Sequence, residues 1–290
     1  MLETVTAVSG WFWDEAVWLP PGVAWTSFQT QQVVSNRTVV VGPDQFAQFT
    51  DLLLYPVPLA ACLHLLRLTT QQLLLRPLAT RLGLETQSPT RPQPPHPQLQ
   101  RTAAARVKLG PGELAVLARQ TGMEPRQVQR WLRQWRRTQL PSTGQKFCET
   151  GWRFIFYTFI LVFGLCSLWD KPWLWDIRQC WHDYPFHPMT RRVWCYYMLE
   201  LAFYWSLSIS QWFDVRRKDF WEMFVHHNTT ILLIMFSWTA HFTRIGTLVM
   251  LVHDCADPLL ELAKLLRYAN FRKVCDAVFV LFSLVWVVTR

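Results

Sequence analysis

Apolar residues gather along the chain into six stretches, each near the ~20 residues a helix needs to cross a bilayer. They run over residues 46–66, 152–169, 194–213, 223–242, 245–265 and 273–289. This pattern predicts an all-α multi-pass membrane protein. A polar tract separates the first two stretches. Within it, residues 85–105 are rich in Pro, Gln, Thr and Ser and read as a linker. Pro111-Gly112-Glu113 then opens a helical pattern carrying Leu114, Leu117 and Ala118, and Thr121-Gly122 marks a turn. Glu124-Pro125 starts a second helix reaching Thr138, with Val128, Trp131, Leu132 and Trp135 on one side and Arg126, Arg130, Arg133, Arg136 and Arg137 on the others. The expected division is an N-terminal segment 1–45, a first transmembrane helix 46–66, a linker 67–110, a small helical unit 111–140 and a larger membrane unit 147–290.

Composition agrees. Hydrophobic residues make up 51% of the chain and charged residues 17%, against roughly 25% charged in a typical soluble domain. Disorder, collagen-like structure and a small disulfide scaffold are excluded. The net charge of +9 is unevenly placed: residues 67–146 hold 14 basic and three acidic side chains. Such a block reads as positive-inside topology, as attraction to anionic lipid headgroups, or as contact with nucleic acid. Topology is the simplest reading. It puts the basic tract in the cytosol and the N-terminus in the lumen, and the same alternation puts Arg216-Arg217-Lys218 and Arg267, Arg272 and Lys273 on the cytosolic side. Trp11, Phe12, Trp13, Trp18 and Trp25 suit a membrane interface. No secretory signal peptide is expected, because no basic segment precedes an apolar core. With a luminal N-terminus, Asn36-Arg37-Thr38 becomes a glycosylation site at Asn36, whereas Asn228-Thr229-Thr230 lies in an apolar run beyond the reach of a glycan. Of the seven Cys, Cys180 and Cys195 flank one polar loop and are the pair an oxidising lumen would join. The chain stops at Thr289-Arg290, at the end of an apolar run, so a fragment of a longer protein is expected.

Ionisable side chains inside membrane spans are costly and mark function. The 223–242 stretch contains His226-His227, and the 245–265 stretch contains His253, Asp254, Asp257, Glu261 and Lys264. On a continuous helix, spacings of three and four put Asp254, Asp257, Glu261 and Lys264 on one face. Pro258 removes a backbone bond and is expected to kink that span. The 194–213 stretch adds Tyr196, Glu200 and Tyr204. The turn near Thr243-Arg244 is so short that the two richest stretches must be antiparallel neighbours. At ~1.5 Å per residue the His pair sits ~5 Å inside the cytosolic edge and Asp257 ~12 Å inside it. A His facing a carboxylate is an oriented base, and a His can also accept an acyl group as a nucleophile. A metal centre is not expected, because the eight His contain no HxxxH or HxxHH pattern and His64, His96, His182 and His187 lie away from the pair. His241, at a luminal edge, and the pairing of Glu261 with Lys264 have ordinary structural readings.

Two resemblances sharpen this picture. Gln127-Val128-Gln129-Arg130-Trp131-Leu132-Arg133-Gln134-Trp135-Arg136-Arg137 resembles the recognition helix of a homeodomain. The base-reading Asn of that family falls on Gln134, and the N-terminal arm and most of the first helix are not recognisable, so sequence-specific DNA binding is not expected. Asp214-Val215-Arg216-Arg217-Lys218-Asp219-Phe220 followed by His226-His227, with His253-Asp254-x-x-Asp257-x-x-x-Glu261-x-x-Lys264, resembles the catalytic region of ceramide synthases of the TLC-domain family. The degenerate homeobox in front marks the animal subgroup that carries this insert. The resemblance implies a TLC-type helix bundle that continues beyond residue 290. It also implies transfer of a fatty acyl group from acyl-CoA to the amine of sphinganine or sphingosine in the endoplasmic reticulum membrane. Acyl-CoA is then a substrate, and no cofactor is implied. His226, His227, Asp254 and Asp257 become the expected catalytic residues, with His226 as nucleophile or base and His227 assisting. His253, Glu261, Lys264 and Glu200 become the expected substrate-binding residues. The expected partners are fatty acyl-CoA, a sphingoid base and the lipid bilayer, and a homo- or heterodimer with other ceramide synthases is compatible with it. The rival readings are a TLC-type protein that binds or senses lipid without turnover and a membrane-tethered DNA binder.

Overall fold

The computed structural model describes residues 14–28, 31–34, 37–40, 46–85, 96–104, 110–138, 141–213 and 219–290. The glycosylation candidate Asn36 and the stretch Asp214 to Lys218 lie outside them. Regular structure is mostly helical: α1 Glu15–Trp18, α2 Phe49–Leu54, α3 Pro56–Thr70, α4 Arg76–Arg81, α5 Pro97–Ala104, α6 Pro111–Thr121, α7 Pro125–Thr138, α8 Thr143–Leu168, α9 Pro172–Trp175, α10 Arg191–Phe213, α11 Phe220–Thr239, α12 Thr243–Asp254, α13 Asp257–Tyr268 and α14 Arg272–Thr289. Among the described residues the only sheet is an antiparallel hairpin, β1 Gln31–Val34 and β2 Arg37–Val40, in the N-terminal segment. The protein is a multi-pass helical membrane protein. Two helices, Phe49–Arg81 and Thr143–Leu168, are long and apolar enough to cross a bilayer by length and composition alone. The other expected spans are helical too, but they carry more polar residues or are interrupted.

Three boundaries differ from the sequence reading. The first expected span does not end at residue 66. Its helix continues through a π-helical turn at Gln71–Leu75 and on to Arg81, because Leu75 and Ala79 are buried against α8. The expected linker also contains α5, whose Leu99 and Ala103 join Leu114, Leu117, Ala118, Val128, Trp131 and Leu132 in a separate small core. The insert is therefore a three-helix unit. The third change is a break at Cys255-Ala256, which divides the expected 245–265 helix into α12 and α13. Pro258 occupies the first turn of α13, where its missing N–H leaves no bond unmade.

Local chemistry sets these ends. Gly110, Pro111 and Glu113 start α6, with the Glu113 carboxylate accepting from the Gly110 N–H at 2.9 Å. Gly122 closes α6 at φ +66°, a conformation that favours glycine. Ser142 caps α8 reciprocally with Gln145. Asn270, at φ 64°, makes the turn between α13 and α14, a role its short polar side chain tolerates.

In the membrane unit α10 is central and packs against α3, α8 and α11, while α8 also carries α12 and α13. Tyr196, Tyr197, Met198, Leu201, Ala202 and Phe203 are fully buried on α10. Phe203 stacks on Phe156 of α8 at 3.6 Å between ring centres. At the end of the bundle away from the insert, the N-terminal segment packs over the helix ends. Phe28 stacks on His241 at 3.9 Å, Trp18 meets Phe236, and the Trp238 indole N–H donates to the Gln48 carbonyl at 2.8 Å. There burial, aided by the Arg244 guanidinium, holds the His187 imidazole below its ordinary value. All seven Cys are free thiols, Cys180 and Cys195 included. Asn228 sits inside α11 and donates to the Phe224 carbonyl and to Ser208 Oγ.

Gly164 of α8 is where the Tyr196 ring and Leu251 approach most closely, since a Cβ there would lie 2.9 Å from Tyr196 Cε2. Gly164→Leu is expected to cost about 1–3 kcal/mol by overpacking and to lower the midpoint of thermal unfolding in detergent. An unchanged midpoint would show that α8, α10 and α12 do not meet there.

Candidate functional site

A cavity of about 570 Å³ lies among α8, α10, α11 and α13, with Arg67 from α3 and Arg290 after α14 completing its wall. Its first element is α11. Asp219 and Phe220 open this helix, and His226 and His227 follow within two turns. Consecutive residues on a helix point about 100° apart. His227 is accordingly buried against α10, its ring 6.2 Å from that of Tyr204, while His226 stays on the exposed side of the same cavity. His227 Nδ1 lies 3.3 Å from the side-chain oxygen of Gln211, in the last turn of α10, and the Gln211 amide N–H donates to the Phe220 carbonyl.

The facing wall comes from α13 and α8. Asp257, Glu261 and Lys264 line the cavity one turn apart. Glu261 accepts from Lys264 Nζ at 2.7 Å and lies 3.9 Å from Arg153, which in turn lies 3.9 Å from Glu149. Asp257 accepts from the Arg290 guanidinium at 3.2 Å. Lys264 thus has the structural partner its spacing implied, and it is a cavity residue as well.

The break before α13 separates residues that a continuous helix would have kept together. Asp254, at the end of α12, does not line the cavity. It is 3% exposed and faces Glu200, which is 1% exposed on α10. Both Glu200 oxygens and Asp254 Oδ2 find no donor among the described residues, and neither does the Tyr196 hydroxyl find a partner. Two carboxylates only accept, so a pair facing each other in an apolar bundle is held together when one of them carries a proton. Glu200 is therefore a buried carboxyl partner of Asp254 and does not line the cavity. His253 is exposed outside the cavity, with Nδ1 2.8 Å from the Val249 carbonyl, and its own carbonyl accepts from Arg290. Of the expected site residues, the fold brings His226, His227, Asp257, Glu261 and Lys264 together and sets Asp254, Glu200 and His253 apart.

Sequence reasoning missed Gln211, Arg153 and Tyr157, all in the cavity wall. Arg153 and Tyr157 sit one turn apart in the middle of α8, on the face that reaches the site. Gln211 carried no sequence signal. Arg67, the first residue of the basic tract, also lines the cavity.

Residues 146–290 match the TLC domain family model. Over 284 residues the chain is 42% identical to human ceramide synthase 5, covering 97% of this chain and 69% of that protein. It is 39% identical over 287 residues to mouse ceramide synthase 4, covering 98% and 70%, and 37% identical over 282 residues to human ceramide synthase 3, covering 97% and 70%.

The carboxyl pair gives a stability test. Glu200→Gln offers an amide N–H that can donate to Asp254 and is expected to leave thermal stability within about 1 kcal/mol, whereas Glu200→Ala offers nothing to that carboxylate and is expected to cost about 1–3 kcal/mol or more. Equal midpoints for the two variants would show that the pair is not formed.

Proposed function

The chain belongs to the ceramide synthases of the TLC-domain family, and from that premise we propose that it transfers a fatty acyl group from acyl-CoA to the amine of sphinganine or sphingosine. The observation that carries this reading is the cavity in which two adjacent His face the Asp257, Glu261 and Lys264 wall. The sphingoid nitrogen attacks the thioester carbon, the N–C bond forms, and the C–S bond breaks. The proton lost by the amine passes to an imidazole and from there to the departing CoA thiolate, which leaves as the thiol. Alternatively an imidazole nitrogen attacks first, forming an acyl-imidazole that the amine then resolves. Either route needs a neutral imidazole with an open nitrogen in the cavity. His227 is the more rigidly held of the pair, and His226 stands on its open side.

Asp257, drawn towards Arg290, is placed to hold the sphingoid ammonium or amine, and Arg67, Arg153 and Lys264 supply positive charge for the anionic part of acyl-CoA. In this reading Asp254 and Glu200, buried and outside the cavity wall, support the helix packing beside the site. The Lys/Arg distribution supports a cytosolic insert and a luminal N-terminus in the endoplasmic reticulum membrane. With that orientation the cavity, lying among helix ends on the insert side, is filled from the cytosol. A homo- or heterodimer with other ceramide synthases is compatible with this arrangement.

Microsomes containing the chain are expected to N-acylate sphinganine when given a panel of acyl-CoAs. His226→Ala and His227→Ala are each expected to lower kcat by about 10²–10⁴-fold, the worth of a positioned acid–base group. Absence of turnover from well-expressed protein would overturn the enzymatic reading in favour of lipid binding without catalysis. Full activity in both His variants would remove the His pair from the chemistry.

A further inference from the structure

Resting on the acyl-transfer reading above, we propose that Gln211 is a positioning residue that keeps the His227 proton on Nδ1, so that the Nε2 lone pair is the atom offered to the substrates. The Phe220 carbonyl can only accept, so the Gln211 atom beside it must be the amide NH₂. That contact fixes which way the amide faces. Its other atom, the carbonyl oxygen Oε1, then lies 3.3 Å from His227 Nδ1. A carbonyl oxygen cannot donate, so the hydrogen between them belongs to Nδ1.

A neutral imidazole with its proton on Nδ1 has its lone pair on Nε2. Among the described residues nothing hydrogen-bonds His227 Nε2, and His227 lines the cavity. The ring is therefore anchored at one nitrogen and open at the other. His226 differs: its backbone carbonyl accepts from Thr230 Oγ1, and among the described residues no side-chain hydrogen bond fixes its ring. Of the two adjacent His, it is therefore His227 whose ring the Gln211 contact orients.

The anchoring also links two helix ends. Gln211 belongs to the last turn of α10 and Phe220 to the first turn of α11, with the 214–219 connection between them. A purely structural role would be to tie those ends through the donated N–H, while a positioning role works through the accepting oxygen. The two roles use different atoms of one side chain, so they can be separated. Gln211→Leu removes both atoms. Gln211→Glu removes the donor and keeps an acceptor for Nδ1–H.

The test is made on the full chain in microsomes and, after purification, in nanodiscs. Gln211→Leu is expected to lower kcat for sphinganine acylation by about 10–100-fold, the usual loss when the partner that orients a functional His is removed. KM for both substrates is expected to stay within about twofold, because the loss falls on the reacting group and not on binding. Gln211→Glu is expected to recover at least about tenfold of the loss. Long-range ¹H–¹⁵N correlation on histidine-labelled protein, with His227→Asn identifying the resonances, is expected to show the Nδ1–H form in the unaltered chain and a shift towards Nε2–H in Gln211→Leu. An Nε2–H form in the unaltered chain would overturn the proposal. So would unchanged kcat in Gln211→Leu, or equal loss in the Leu and Glu variants. If the unaltered chain has no acyltransferase activity, the functional reading falls, and the tautomer measurement still decides the role of Gln211.

Discussion

A carboxyl group inside an apolar helix bundle must find a donor or a cation, and the architecture of this protein follows from how five such groups are satisfied. Asp257 takes the Arg290 guanidinium, Glu261 takes Lys264 and lies near Arg153, and Glu149 lies near Arg153. Among the described residues Asp254 and Glu200 form no ion pair, and they face each other. Unpaired, any of them would cost several kcal/mol of desolvation. The pairing divides the polar interior into a charged cavity wall on α13 and α8 and a buried carboxyl pair between α10 and α12.

The helix break at Cys255-Ala256 makes this division. On one unbroken helix Asp254 and Asp257 would share a face and compete for the same partners. With the chain interrupted, and Pro258 placed where a helix tolerates it, Asp254 closes one helix and Asp257 opens the next. The central helix α10 meets both halves of this arrangement. Glu200 in its middle faces Asp254, and Gln211 in its last turn contacts His227. Both positions lie on one uninterrupted helix, so its rise per residue sets their separation.

The insert is organised by different physics. Its small core of Leu, Val, Ala and Trp joins three short helices, and its basic residues Arg126, Arg130 and Arg133 remain exposed on α7. That core is built from apolar contacts alone. The unit folds around its own apolar seam, while the membrane unit adds paired charges to its larger apolar and aromatic core.

Periodicity and charge bias alone determined that this is a multi-pass helical membrane protein with a basic helical insert, because both depend on local sequence and on the bilayer as solvent. The His226-His227 pair and the Asp257, Glu261, Lys264 series were legible for the same reason: ionisable residues stand out in an apolar run, and their spacing places them on a helix face. The tertiary structure alone decided which of these residues share the cavity. The break after Asp254 and its burial against Glu200 could not be read from spacing, since spacing presumes a continuous helix. Helix α5 was hidden in a Pro- and Gln-rich stretch because only contact with α7 gives Leu99 and Ala103 a core to join. Gln211 was invisible for the most general reason. A neutral amide near a helix end carries no signal of its own, and its meaning comes from the carbonyl and the imidazole that the fold brings to either side of it.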